Sequence, residues 1–157
     1  MTDVPAELRE AARRFARPDA LAHISGVRAP RGQRAAAVLI LLSQGDDGYE
    51  LVLVEKRPDL RHHAGQVAFP GGRIEPGDAD PVAAALREGQ EEVGIEPTGV
   101  EVLGVLPTAH IVRSGFDVTS AVGWWRQPRR LVPVDVGEIA AVHQVKVAEL
   151  LAPENRV

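Results

Sequence analysis

The stretch Gly71–Ile95 reads GGRIEPGDADPVAAALREGQEEVGI. It holds Asp78, then Glu88, Glu91 and Glu92. Asp80 is placed to cap a helix, Pro81 suits its first position, and Gly94 suits the position just past its end. On such a helix Glu91 lies roughly 60° to one side of Glu88 and Glu92 roughly 40° to the other. Three carboxylates thus share one arc. Like charges at helical spacing repel, so this face calls for solvent or a cation. A hard divalent ion with oxygen ligands answers that need beside phosphates. Ala84 and Ala85 fall on the same arc and are expected to leave room above it. Val82, Leu86 and Val93 form the expected core-facing stripe. A solvated acidic helix is the plainer alternative.

Ahead of the helix, Val67–Phe69 is a short apolar segment that runs into Pro70, Gly71 and Gly72. Paired glycines open backbone conformations closed to other residues and let a ligand approach the main chain. Arg87 can hold a neighbouring carboxylate in a two-pronged pair. Upstream lie Lys56, Arg57, Arg61, His62 and His63. A basic cluster next to an acidic, cation-seeking helix suits a polyanionic substrate.

These residues resemble the Nudix hydrolase signature at Gly72, Asp78, Arg87, Glu88, Glu91, Glu92, Gly94 and Ile95. Three departures stand out. Asp78 replaces a Glu, the gap from Asp78 to Arg87 is one residue longer, and Gly89 takes an apolar position. The longer gap is similar to that of the coenzyme A pyrophosphatase branch. That branch has a second motif upstream, matched here by Leu60, Arg61, His63, Gly65, Gln66 and Phe69–Gly72. Either Lys56 or Arg57 fills that motif's basic position.

The resemblance implies an α/β fold, a Nudix-type αβα sandwich with a mixed β-sheet. It implies a metal-dependent pyrophosphohydrolase that uses Mg²⁺ or Mn²⁺ and cleaves the diphosphate of coenzyme A or acyl-coenzyme A. Glu88, Glu91 and Glu92 would bind the metal, with a main-chain carbonyl near Gly71 or Gly72. A helix glutamate or a loop acid, Glu138 first among them, would serve as general base. Arg87 would orient a glutamate. Lys56, Arg57, Arg61, His63 and Gly71 are the expected substrate contacts, with Arg61 the candidate for the 3′-phosphate of coenzyme A. The same chemistry on ADP-ribose or a dinucleotide is an alternative. A non-catalytic nucleotide-binding module on the same scaffold is another, though such modules lose helix glutamates that are kept here. An acidic surface helix on an unrelated protein leaves Phe69–Gly72 unexplained.

The chain has 157 residues, 45% of them hydrophobic, and a net charge of −4. That suits one domain spanning 1–157. No basic excess points to nucleic acid. The absence of cysteine removes disulfides, a thiolate nucleophile and cysteine zinc sites. No apolar run has membrane-spanning length. Arg and Glu interrupt the N-terminal stretch, which argues against a secretory signal. The expected setting is cytoplasmic, as a monomer or homodimer acting on a small molecule.

Along the chain the pattern predicts an amphipathic helix over Ala6–Ala16, within about residues 4–17. Strands are predicted over Ala35–Leu42, Tyr49–Glu55, Val67–Phe69, Val100–Leu106, Phe116–Trp125 and Ile139–Val147, with a helix beginning at Ala148. The first two should form a hairpin. Relative to the coenzyme A branch, the C-terminal part is expected to be short or missing. Adjacent Trp124 and Trp125 should point to opposite faces of a strand. One is expected in the core and the other exposed or lid-packed, with stacking on adenine the sharper alternative. His110, with Arg113 and Ser114, falls in an expected loop near the phosphates.

Overall fold

In the computed structural model, which describes residues 1–32 and 34–156, the predicted segments form a mixed sheet flanked by helices. The order is α1 (Ala6–Phe15), β1 (Val27–Arg28), β2 (Arg34–Gly45), β3 (Gly48–Lys56), β4 (Val67–Ala68), β5 (Gly71–Arg73) and α2 (Pro81–Val93). Then follow β6 (Val100–Val105), β7 (Ala109–Ile111), β8 (Phe116–Trp125), β9 (Ile139–Lys146) and α3 (Val147–Leu151). Strands β2 and β8 pair in parallel, and the other pairings are antiparallel. Among the described residues, no helix is long and apolar enough to cross a membrane.

β2 shows how sequence becomes layer. Ala37, Leu39, Leu41 and Ser43 are buried, and the residues between them less so. Period-two alternation puts the first set on one face. That face packs on α2 through Ala84, Ala85 and Val93, joined by Val52, Val54, Ile95 and Trp125. β2 and β3 form the expected hairpin through Asp46–Asp47, with Gly48 at φ +120°.

Trp124 and Trp125 do point to opposite faces, but both are buried. Trp125 joins the α2-side core. On the far face Trp124 donates from Nε1 to the Thr2 carbonyl at 3.0 Å and meets Tyr49 edge-on at 6.0 Å. Tyr49 in turn donates to Glu7, which ties α1 to β3. Neither tryptophan is the exposed or lid-packed residue expected, because α1 and the N-terminal segment cover that face.

Two further expectations change. Gly71 and Gly72 form strand β5 against β2, and neither has positive φ. What requires glycine is proximity. A Cβ on Gly71 would lie 2.4 Å from the Ala37 carbonyl oxygen, and one on Gly72 would lie 2.6 Å from Glu88 Oε1. Ala84 and Ala85 do not sit over an open acid face, because both are packed in the core. Together with Gly89, whose Cβ position lies 3.1 Å from Leu39 Cδ2, they let α2 approach β2 closely. The buried stripe of α2 is therefore rotated from Val82 and Leu86 toward its small residues, and it carries Glu92 into the interior.

Candidate active site

Helix α2 starts as its sequence dictates. The Asp80 carboxylate accepts from Ala83 N at 2.8 Å, Pro81 follows, and Gly94 closes the helix at φ +73° with its N–H on the Gln90 carbonyl. Its three glutamates enter different environments. Glu92 is 1% exposed. Glu88 keeps 15% of its side chain exposed, and Glu91 keeps 56%.

Arg87 organises the outer half. Its Nε and Nη2 donate to the two carboxylate oxygens of Asp78 at 2.9 and 3.0 Å. Nη1 donates to Glu88 at 3.0 Å and to Glu91 at 3.3 Å, and Nη2 also reaches the Arg73 carbonyl at 3.1 Å. One guanidinium thus fixes the loop acid, two helix glutamates and the end of β5. Asp78 stands below the usual carboxylate range because Arg87 hydrogen-bonds to it. Glu88 stands above it because burial outweighs the pull of Arg87.

The inner half is built on Glu92. Its Oε1 accepts from Gly71 N at 3.3 Å and lies 3.5 Å from Lys56 Nζ. Its Oε2 is buried and has no hydrogen-bond partner among the described residues. Burial pushes the carboxyl up to about 7, with Glu88 and Glu138 adding to the rise and Lys56 and the Gly71 amide opposing it. Glu138 arrives from the connection after β8. Val134 N and Asp135 N donate to the Glu92 carbonyl at 2.8 and 3.3 Å, and Arg57 N donates to the Glu138 carbonyl at 2.9 Å. Lys56 Nζ then donates to Glu138 Oε1 at 2.8 Å. Burial lowers the Lys56 pKa, but Glu138 and Glu92 outweigh it and the net shift is upward.

The residue types gathered here fit a divalent ion. The donors are carboxylate oxygens, which suit Mg²⁺ or Mn²⁺. The orphaned Glu92 Oε2 is a buried acceptor waiting for a positive partner. Among the described residues, no three acidic or imidazole groups stand ready-closed on one point. Arg87 and Lys56 occupy the gaps between them.

The shifted carboxyl has a measurable consequence. Its raised folded-state value means that the unfolded chain loses this proton first as pH rises from about 4.5, so stability falls up to about pH 7 and then levels. Glu88 adds to this fall. Downshifted acids such as Asp78 and Glu101 act below that window. Protein stripped of metal is expected to melt lower at pH 8 than at pH 5.5 in thermal scans. A flat profile would refute the burial of Glu92 with Oε2 unpartnered.

Beside these acids opens a cleft of about 1080 Å³. Ala36, Val38, Leu53 and Val118 give it an apolar floor, and Glu88, Glu138, Lys56, Gly71 and Gly72 line it too. One wall is the loop after β3, where His62, His63 and Gln66 face in. His63 holds φ +60° and hydrogen-bonds through Nδ1 to Gln66 Oε1 at 3.0 Å. Left-handed backbone is uncommon for a non-glycine residue.

The structure therefore gathers Lys56, His63, Gly71, Gly72, Glu88 and Glu138 about one cleft, with Glu92 buried behind Gly71 and Lys56. Arg87 and Glu91 do not line it and join it only through Glu88, to which Arg87 donates. Two expected substrate contacts lie elsewhere. Arg57 turns outward, paired with Asp59 at 2.8 and 2.9 Å and with the Val136 carbonyl at 3.1 Å. Arg61 is exposed and does not line the cleft. Of the two candidates for the basic motif position, Lys56 is the one at the carboxylates. His110 is buried against Asp117 Oδ1 at 2.8 Å, and Asp117 also accepts from Arg31 N and Gly32 N. That histidine anchors the segment before β2, while Arg113 and Ser114 do reach the cleft wall. Arg34, Arg73 and Phe116 also line the cleft and were not anticipated. Their signal is the β2–β8 register, which no local pattern encodes.

The NUDIX domain family profile matches residues 33–157. A Klebsiella pneumoniae protein called Uncharacterized Nudix hydrolase NudL is 46% identical over 126 residues, covering 76% of this chain and 60% of the relative. The chain thus spans about three-fifths of the length of that relative. A Mycobacterium smegmatis Nudix hydrolase, RenU (M. smegmatis), shares the fold with a TM-score of 0.63 at 21% identity, covering 81% of this chain and 82% of that one. A C. elegans Ap4A hydrolase in a binary complex does so with a TM-score of 0.60 at 18% identity, covering 75% and 83%.

Proposed function

This chain belongs to the Nudix family, and from that premise we propose that it is a metal-dependent pyrophosphohydrolase acting on coenzyme A or acyl-coenzyme A. The observation that carries the reading is Glu92: a buried carboxylate with one orphaned oxygen, set behind Glu88 and Glu138, which line a large basic and apolar cleft. A buried acid of this kind is costly to folding unless a ligand completes it. The upstream motif from Lys56 to Gly72 supports coenzyme A over other diphosphates.

In the proposed reaction, water attacks one phosphorus of the diphosphate and the bridging P–O bond breaks. The products are (acyl-)4′-phosphopantetheine and adenosine 3′,5′-bisphosphate. A divalent ion bound by Glu88, Glu91 and Glu92 would neutralise charge on the diphosphate and acidify water. Arg87 holds Glu88 and Glu91 in place through its fixed fork. Glu138, at the cleft and already within hydrogen-bond reach of Lys56, is the candidate to take the proton of the attacking water. Lys56 orients that carboxylate and adds positive charge beside the phosphates. The apolar floor, Ala36, Val38, Leu53 and Val118, suits the pantetheine or acyl arm.

The test is a hydrolysis panel with Mg²⁺ and with Mn²⁺, comparing coenzyme A, an acyl-coenzyme A, ADP-ribose, NADH and nucleoside triphosphates. Coenzyme A or its acyl form is expected to show the highest specificity constant. Preference for ADP-ribose would overturn the substrate assignment. No turnover of any diphosphate, with nucleotide binding intact, would favour a binding module.

A further inference from the structure

We propose that Arg34 and Arg73, gathered over Phe116, form a second anion site that takes a phosphate remote from the scissile diphosphate. On the reading above, on which the substrate's identity rests, that group is the 3′-phosphate of coenzyme A. The Arg34 guanidinium carbon lies 4.4 Å from the Phe116 ring centroid and that of Arg73 lies 5.4 Å away. The fold brings them together by register. Arg34 is the direct partner of Phe116 in the parallel β2–β8 pair, and Arg73 is opposite Ala36 in the β2–β5 pair. Ala36, Arg34, Arg73 and Phe116 all open on the cleft.

The charges here are uncompensated. Arg9, Arg57, Arg87 and Arg126 each pair with a carboxylate. Among the described residues neither Arg34 nor Arg73 does. Among the described residues, Arg34 donates only to the Ser114 carbonyl, at 2.9 Å, and the Arg73 side chain has no hydrogen-bond partner. Two guanidinium groups over one ring repel each other, and the aromatic face offsets only part of that. A phosphate between them would satisfy both, since its oxygens match the guanidinium fork.

Arg73 starts beside the acids, since its carbonyl accepts from Arg87 at 3.1 Å, while Arg34 stands apart from them along β2. Val38 pairs with Gly71, whose N–H holds Glu92, and Arg34 lies four residues earlier on the same strand. At strand rise that is roughly 13 Å. Arg34, at the far end of this run, therefore suits a different phosphate on the same ligand from the one at the carboxylates, with a ribose between, and Arg73 meets it over the same ring. Arg61, the residue expected to read the extra charge, is outside the cleft, whereas Arg34 and Arg73 line it.

The experiment is calorimetric titration of the full chain, without metal, with adenosine 3′,5′-bisphosphate and with AMP. Wild type is expected to bind the bisphosphate about tenfold to a hundredfold more tightly, the range of one charge-assisted hydrogen bond. Arg73→Gln and Arg34→Gln should each erase most of that preference and leave AMP affinity within about threefold. Arg34 also braces Ser114, so Arg73→Gln, which gives up the Phe116 ring contact but no side-chain hydrogen bond among the described residues, decides the matter if Arg34→Gln is unstable. Three results would overturn the site: no preference in wild type, an intact preference in Arg73→Gln, or equal loss of both ligands. The hydrolysis panel judges the coenzyme A reading separately. A chain that fails that panel yet loses its bisphosphate preference in Arg73→Gln keeps the anion site and loses only the substrate's name.

Discussion

Glu92→Gln is expected to lower turnover of the best diphosphate substrate by about 10²–10³-fold at saturating metal, the usual cost of removing one preorganised charge from a transition-state cradle. The same variant should melt higher than the parent at pH 8 when both are stripped of metal. The two effects share one cause. Glu92 is buried with Oε2 unpartnered, and its carboxyl is pushed up to about 7 by that burial. An amide carries no charge, so it escapes the desolvation cost that the carboxylate meets above neutrality. It also cannot supply the negative oxygen that would hold a divalent ion. Glu88→Gln should lose activity similarly, with a smaller gain in stability, since Arg87 already compensates Glu88 at 3.0 Å. Steady-state kinetics across a metal titration, with thermal melts at pH 5.5 and 8, measure both quantities. Near-parental turnover with saturating metal would sink the metal-site assignment. Lost turnover with a lower melting temperature at pH 8 would mean that Glu92 is a structural acid instead.

Arg87→Met is expected to cost about 10–100-fold in metal affinity or activity, as is usual for a group that orients ligands without touching the metal. Its fork spans Asp78, Glu88, Glu91 and the Arg73 carbonyl at 2.9–3.3 Å. Without it, three carboxylates face one another with no cation between them, and repulsion should splay them. Arg87→Lys should not rescue the loss, because one ammonium cannot reproduce a planar two-pronged grip on Asp78 while serving two glutamates. The diagnostic is a split in kinetics: high concentrations of Mg²⁺ or Mn²⁺ should restore part of the Arg87→Met rate but none of the Glu92→Gln rate. If added metal recovers nothing in Arg87→Met, the residue acts on substrate or fold and not through the glutamates.

Much of this was legible in the chain itself. Asp80, Pro81 and Gly94 bound the acidic helix because caps and left-handed closures are local chemistry, settled within a few residues. The strands from Ala35, Tyr49, Val100, Phe116 and Ile139 follow from apolar runs bounded by turn residues. The acids at Glu88, Glu91 and Glu92 and the spacing back to Asp78 pointed to the family, which the match over 33–157 bears out. What periodicity could not supply was the closeness of α2 to the sheet. Ala84 and Ala85 looked like space for a ligand and proved to be core, with Gly89 close against Leu39, so Glu92 went inside and Glu91 stayed in solvent. Helical angle ranks residues around an axis, but the depth to which that axis sinks depends on volumes contributed by other elements. Gly71 and Gly72 likewise looked like a turn, yet their requirement comes from Ala37 and Glu88 across space. Arg57, Arg61 and Lys56 are neighbours in sequence, and only the β3–β9 pairing with Glu138 decides that Lys56 alone turns toward the acids. Arg34, Arg73 and Phe116 lie on three strands far apart in the chain, and it is hydrogen-bond register, a property of pairs and not of segments, that brings them to one wall of the cleft.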